Sequence, residues 1–222
     1  MTQAFPGLDE RVSDIRQELA RIGRSDTRII AVTKGFGIEA WDAATAAGLD
    51  VVGESYAQEL QAKLDSAAER DGTDTEPIGP SIHFIGRIQR NKVRKVADRV
   101  DLWHSVARPE ILREVGKRAP GASVLLQMAV ADDPTKDGIA AAEIDEMLEV
   151  AAEADVEVRG LMTIGVLDDA DATRAAFREV ARLADAHGLA ERSMGMSNDW
   201  RDAAAEGATL LRLGSVLFGP RP

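Results

Sequence analysis

The chain has 222 residues, of which 45% are hydrophobic, 29% charged and 4% aromatic, the profile of a soluble globular protein with one or two domains. Lys and Arg number 27 against 38 Asp and Glu, and the formal net charge of −11 opposes general binding to nucleic acid or an anionic membrane. The absence of cysteine excludes disulfides, thiolate metal sites and cysteine nucleophiles, and no apolar run approaches the ~20 residues of a membrane span, so a cytoplasmic protein is expected.

Leu8, Val12, Ile15, Leu19 and Ile22 recur at steps of four and three and predict an amphipathic helix over about 8–22. Gly23 ends it, and Arg28–Val32 (RIIAV) reads as a buried strand followed by Thr33-Lys34-Gly35. Seven further strand candidates follow at 50–53, 82–86, 102–106, 124–130, 158–164, 193–196 and 210–214. The segments between them are mostly Ala-rich with charges on one side, for example 140–154 and 170–187, and read as helices. Alternation of strand and helix implies a parallel sheet. Eight units predict a closed (β/α)₈ barrel at the short end of its size range, with an open doubly wound sheet as the second choice. The Gly/Pro/Asp/Thr-rich stretch 71–80 reads as a loop, and a single domain over 1–222 is expected.

In a parallel barrel the active site forms at the C-terminal ends of the strands. Lys34 leaves the first strand there, where desolvation would lower its pKa and suit it to Schiff-base formation; a lysine reaching for solvent is the plainer reading. Ser193-Met194-Gly195 and Gly214-Ser215 follow the last two strands, the frequent phosphate site of this fold, though each alone is a Gly/Ser turn. Arg212 lies within an apolar strand and needs an acceptor, for which a structural salt bridge suffices. His83 and His104 fall on different strands without a local carboxylate and read as packed or hydrogen-bonded histidines. His187 and Glu191 show no metal-ligand spacing, so no metal is expected. The basic run Arg87, Arg90, Lys92, Arg94, Lys95 and Arg99 lacks interleaved aromatics and reads as a solvated helix face.

The segments AVTKGF (31–36), GESYAQE (53–59), HFIGRIQRNKVRK (83–95), HSV (104–106), RGLMTI (159–164), SMGMSNDW (193–200) and TLLRLGSVLFGPR (209–221) occur in one order over nearly the whole chain. Together they resemble the YggS/PROSC family of pyridoxal phosphate homeostasis proteins. The resemblance implies a monomeric single-domain TIM barrel like the N-terminal domain of alanine racemase, binding pyridoxal 5′-phosphate (PLP). It implies Lys34 as the residue that carries the cofactor aldehyde and Arg212 as the partner of the pyridine nitrogen. Ser193, Gly214 and Ser215 would hold the phosphate. Ser55 stands where the family usually has Asn, and His83 and Met196 fall in motifs that line the same mouth. Gly35 and Gly37 replace residues that are commonly Thr and Pro, and Lys136 resembles an auxiliary PLP-handling lysine or is a solvated loop residue.

An arginine beside the pyridine nitrogen keeps that nitrogen unprotonated and the ring a poor electron sink. A two-base racemase also needs a second acid/base on the other face of the cofactor, and the only tyrosine, Tyr56, directly follows Ser55. The expected function is therefore a PLP carrier with little or no catalysis, which buffers the cofactor or delivers it to PLP-dependent apoenzymes. A PLP-dependent amino-acid racemase is the alternative, and a barrel enzyme acting on another phosphorylated metabolite is the third reading.

Overall fold

A computed structural model describes residues 5–71, 79–129 and 137–221. Eight parallel strands close into a barrel in sequence order: β1 (Arg28–Val32), β2 (Val51–Glu54), β3 (Ser81–Phe84), β4 (Leu102–Val106), β5 (Ala122–Gln127), β6 (Val156–Met162), β7 (Glu191–Ser193) and β8 (Leu210–Leu213). Closure is made by β1 against β8, with Ile30 opposite Arg212. The helices are α1 (Leu8–Arg21), α2 (Glu39–Ala46), α3 (Ala57–Asp71), α4 (Arg90–Val93), α5 (Pro109–Arg118), α6 (Ile144–Glu153), α7 (Ala170–Ala186), α8 (Trp200–Ala205) and α9 (Ser215–Phe218). The closed barrel, the first expectation, is the architecture, and the open doubly wound sheet is not. Among the described residues no helix is long and apolar enough to cross a membrane.

The alternation of strand side chains divides the apolar residues into two sets. Outward-facing residues such as Ile29, Val52, Trp103, Leu126 and Leu211 join the helices in the larger core, where Leu8, Val12, Ile15 and Leu19 of α1 are also buried. Inward-facing Ile30, Val51, Leu102, Leu125, Met162 and Leu210 fill the barrel itself. One step further along the same inward face, Leu102 is followed by His104 and Leu210 by Arg212, so the barrel interior turns polar toward its C-terminal end.

Two elements depart from the predicted boundaries in ways that matter. β7 is Glu191–Ser193 rather than 193–196, because Gly195 has φ +91° and an added Cβ there would come within 2.5 Å of Ala203. The strand therefore ends where the prediction starts it. The basic run is not one helix face: it spans α4 and a 3₁₀ turn at Ala97–Arg99, and Arg87 and Arg90 pair with Asp137 and Glu114. Most of the 71–80 loop lies outside the described residues, as does Lys136.

Candidate functional site

A cavity of about 1260 Å³ opens at the C-terminal end of the barrel. Lys34, Ser55, Met196, Arg212, Gly214 and Ser215 all line it, so six of the eight expected residues come together from β1, β2, β7 and β8 or the loops that follow them. The loop carrying Lys34 rests on an aromatic cluster of Phe5, Phe36 and Phe218, with ring centroids 5.0–5.6 Å apart, which ties the start of the chain and α9 to the β1 loop.

Lys34 is half-buried, and its pKa is held below the ordinary lysine value. Burial is the main cause, followed by the positive charges of Arg221 and Arg212, while Glu59 opposes them. A lysine so placed exposes more of its neutral, nucleophilic form near neutral pH. Arg212 is 4% exposed, and burial pushes its guanidinium down to about 10, still charged at neutral pH. Its Nη2 donates to the Thr163 carbonyl at 2.8 Å and its Nη1 to Ser193 Oγ at 2.6 Å. The other guanidinium N–H groups remain for the cavity it lines.

Ser193 and His83 are placed differently from expectation. Ser193 ends β7, is fully buried and points into the barrel, where its Oγ meets both Arg212 and, at 2.8 Å, His104 Nδ1. It therefore lies below the mouth, bonded to the arginine. His83 is also buried, below the mouth, with its Nδ1 3.0 Å from His104 Nε2. Since Arg212 can only donate, the Ser193 hydroxyl is free to donate to His104 Nδ1, and His104 then donates from Nε2 to His83. The chain Arg212–Ser193–His104–His83 uses every proton in one direction with both histidines neutral. Burial, the dominant cause for each, pushes His83 down to about 4 and His104 well below its ordinary value.

A further serine at the mouth is Ser197, which sequence reasoning did not single out although it stands in the quoted SMGMSNDW motif. Its Oγ accepts from the backbone N–H groups of Gly214 and Val216, both at 3.2 Å, and the loop is braced by Asp199, which accepts from Met196 N–H. Arg221, at the end of the quoted C-terminal motif, also lines the cavity and was likewise missed. The hydroxyls of Ser197 and Ser215 and the charge of Arg221 make this side of the cavity suited to a multiply charged anion. A Cβ at Gly214 would meet only Val32 atoms at 3.5 Å or more, so the barrel itself does not demand glycine there. Among the described residues no group of three or more His, Asp or Glu is arranged to hold a metal ion.

A closed parallel barrel with a half-buried lysine after its first strand and a buried arginine on its last defines the class of alanine racemase N-terminal barrels, and residues 8–222 match the family described as alanine racemase, N-terminal domain. A pyridoxal phosphate homeostasis protein of Aquifex aeolicus is 36% identical over 186 residues, covering 78% of each chain. One from Vibrio alginolyticus is 30% identical over 234 residues, covering 100% of this chain and 99% of the relative. PipY of Synechococcus elongatus, solved without PLP and with PLP bound, is similar with TM-scores of 0.81 and 0.78 at 32% identity, over 96% of this chain and 100% of PipY. The chain belongs to the family of pyridoxal phosphate homeostasis proteins.

Proposed function

We propose that the protein binds PLP in the barrel mouth and serves intracellular PLP homeostasis, holding the cofactor on Lys34 and passing it to apoenzymes. The observation that carries this reading is the union, in one cavity, of an amine with lowered pKa, a buried guanidinium and an anion-binding edge. These are the three partners that PLP requires: one for its aldehyde, one for its ring nitrogen and one for its phosphate. When bound, PLP supplies an aldehyde that condenses reversibly with a primary amine. Lys34 provides that amine, and its depressed pKa keeps the nitrogen lone pair available. Arg212, locked by Thr163 and Ser193, would be the partner of the pyridine nitrogen and would disfavour its protonation. Ser197, Gly214 and Ser215 would hold the phosphate with Arg221 beside them, and Ser55 and Met196 would line the space left for the ring.

Several features favour holding over turnover. The anchoring of Arg212 keeps a positive charge where a catalytic electron sink would need a proton. Tyr56 is 53% exposed, which leaves it poorly placed to serve as a second base of controlled pKa. The relatives are named for PLP homeostasis and not for racemisation, so the racemase alternative is not favoured. We place the protein in the cytoplasm as a monomer.

The test is incubation with PLP, measurement of the visible absorption band, borohydride reduction and mapping of the labelled peptide, with Lys34→Ala in parallel. Label at Lys34 that vanishes in the variant is the expected result. Label scattered over surface lysines would overturn the reading and promote the barrel acting on another phosphorylated metabolite. Amino-acid α-proton exchange into D₂O no faster than with free PLP is expected for a carrier; faster exchange would establish an enzyme.

A further inference from the structure

Lys34 is followed by glycine-containing backbone. Gly35 has φ +79°, Gly37 lies two residues on, and neither constrains the chain as the Thr and Pro common at these positions would. Within the loop the Phe36 N–H closes a turn onto the Thr33 carbonyl at 3.2 Å, and α3 braces the same turn from outside. Lys63 Nζ donates to the Thr33 carbonyl at 2.8 Å, and the Gly35 N–H donates to Glu59 Oε2 at 2.9 Å. Glu59 and Lys63 are four residues apart and share one face of α3. The Thr33 carbonyl belongs to the peptide plane before Lys34, and the Gly35 N–H to the plane after it. Between two planar peptides the soft backbone torsions are the φ and ψ of Lys34 alone, so fixing both planes fixes both torsions.

The grip has a buried anchor. Lys63 is 4% exposed and pairs with Glu54, which is fully buried, at 2.5 Å. Glu54 Oε1 also accepts from Thr33 Oγ1 at 2.6 Å and Trp41 Nε1 at 3.0 Å. Glu54 immediately precedes Ser55, so one ion pair ties together the two loops that bring Lys34 and Ser55 to the cavity. A buried ion pair adds little net stability compared with well-packed apolar residues, whereas it is suited to fixing one arrangement among several.

We propose that Glu59 and Lys63, anchored through Glu54, are positioning residues that clamp the backbone on either side of Lys34 and aim its amine into the cavity. The clamp is a property of the protein without cofactor; its consequence for PLP rests on the function proposed above.

The two are tested separately. In the full-length protein without PLP, amide exchange of Gly35 is followed by NMR in wild type, Glu59→Ala and Glu59→Gln. Loss of a hydrogen bond to a charged acceptor is expected to speed Gly35 exchange by roughly tenfold or more in Glu59→Ala, with recovery in Glu59→Gln, which keeps an acceptor oxygen. Unchanged exchange in Glu59→Ala would overturn the clamp, whatever PLP does. With PLP added, the circular dichroism of the visible band per unit absorbance reports how rigidly the chromophore is held. It is expected to fall at least twofold in Glu59→Ala and in the paired variant Glu54→Gln/Lys63→Met, while borohydride label stays on Lys34. A signal equal to wild type in both would refute the aiming role. If the paired variant fails to fold, Glu59→Ala, altered only at a half-buried helix position, decides the question. Absence of Lys34 label in wild type would instead defeat the proposed function and leave the Gly35 result standing.

Discussion

Acidification from pH 7 to 5 is expected to destabilise the protein through the two histidines inside the barrel. His83 has its pKa pushed from 6.5 to about 4, and fully buried His104 is displaced in the same direction. Burial dominates for both. Around His83 the charges of Arg28 and Arg159 act with burial, while Asp50 and Asp101 act against it. A base whose folded pKa is depressed contributes stability that is present above its unfolded pKa and lost as the pH falls, because the unfolded chain takes the proton first. The window runs from about 6.5 down to 4 for His83, with a slope of about 1.4 kcal/mol per pH unit across it. At pH 5 His83 alone has lost about 2 kcal/mol, a large share of the ~5–15 kcal/mol typical of a domain, and His104 adds a loss of the same sign. The carboxylates with lowered pKa, Glu18, Glu114 and Glu179, contribute stability that is lost below about 4.5, outside the pH 7 to 5 range. Urea denaturation at pH 7, 6 and 5 measures the loss, with His83→Asn/His104→Asn as the control that cannot titrate there. The variant is expected to be less stable at pH 7 but to lose less on acidification than wild type. Equal slopes in variant and wild type would refute the assignment of neutral buried histidines.

Ser193→Ala leaves Arg212 Nη1 and His104 Nδ1 without their shared partner, so urea denaturation should show a loss of about 2 kcal/mol and equilibrium titration a PLP affinity weakened roughly tenfold. Gly195→Ala puts a Cβ 2.5 Å from Ala203 and 2.9 Å from Leu211 at a positive φ, and thermal unfolding should report a loss of about 2 kcal/mol or more. Gly214→Ala meets only ordinary contacts and should leave stability within about 0.5 kcal/mol of wild type, while its methyl at the anion edge lowers affinity for PLP in the same titration. Ser197→Ala is expected to weaken binding of PLP far more than of pyridoxal, which lacks the phosphate; equal losses for both would remove Ser197 from the phosphate site.

The barrel was legible because a parallel strand buried on both faces writes itself as a short apolar run, and RIIAV and LWHSV coincide with β1 and β4 residue for residue. Lys34 was legible for the same reason, standing just past such a run. The error at β7 shows where this signal fails. Glu191 and Arg192 look like loop residues, yet Arg192 pairs with Asp185 and Glu191 with Arg28, which lets both sit in a strand at the helix-lined surface. Met194 and Met196 look like strand residues, but Gly195 between them adopts a conformation that no extended chain has. The Ser193-Met194-Gly195 turn drew the assignment to Ser193, which β7 buries in the barrel, and away from Ser197, four positions later.

Side-chain alternation explains why no inspection of single residues could have corrected this. In a strand the inward or outward direction of a serine depends on register, and register is fixed by the neighbouring strands, here Met162 and Leu210 opposite Ser193. The histidines carry the same lesson. HSV and HFIG place His104 and His83 on consecutive strands, and only closure of the barrel brings β7 and β8 round to make His104 a link between His83 and Ser193, which holds Arg212. Arg212 in turn needs that chain: a guanidinium at the floor of an apolar barrel is held in place only where carbonyl and hydroxyl acceptors replace its water. The polar interior and the cavity above it are thus one structure, in which the residues that touch a ligand inherit their orientation from residues that do not.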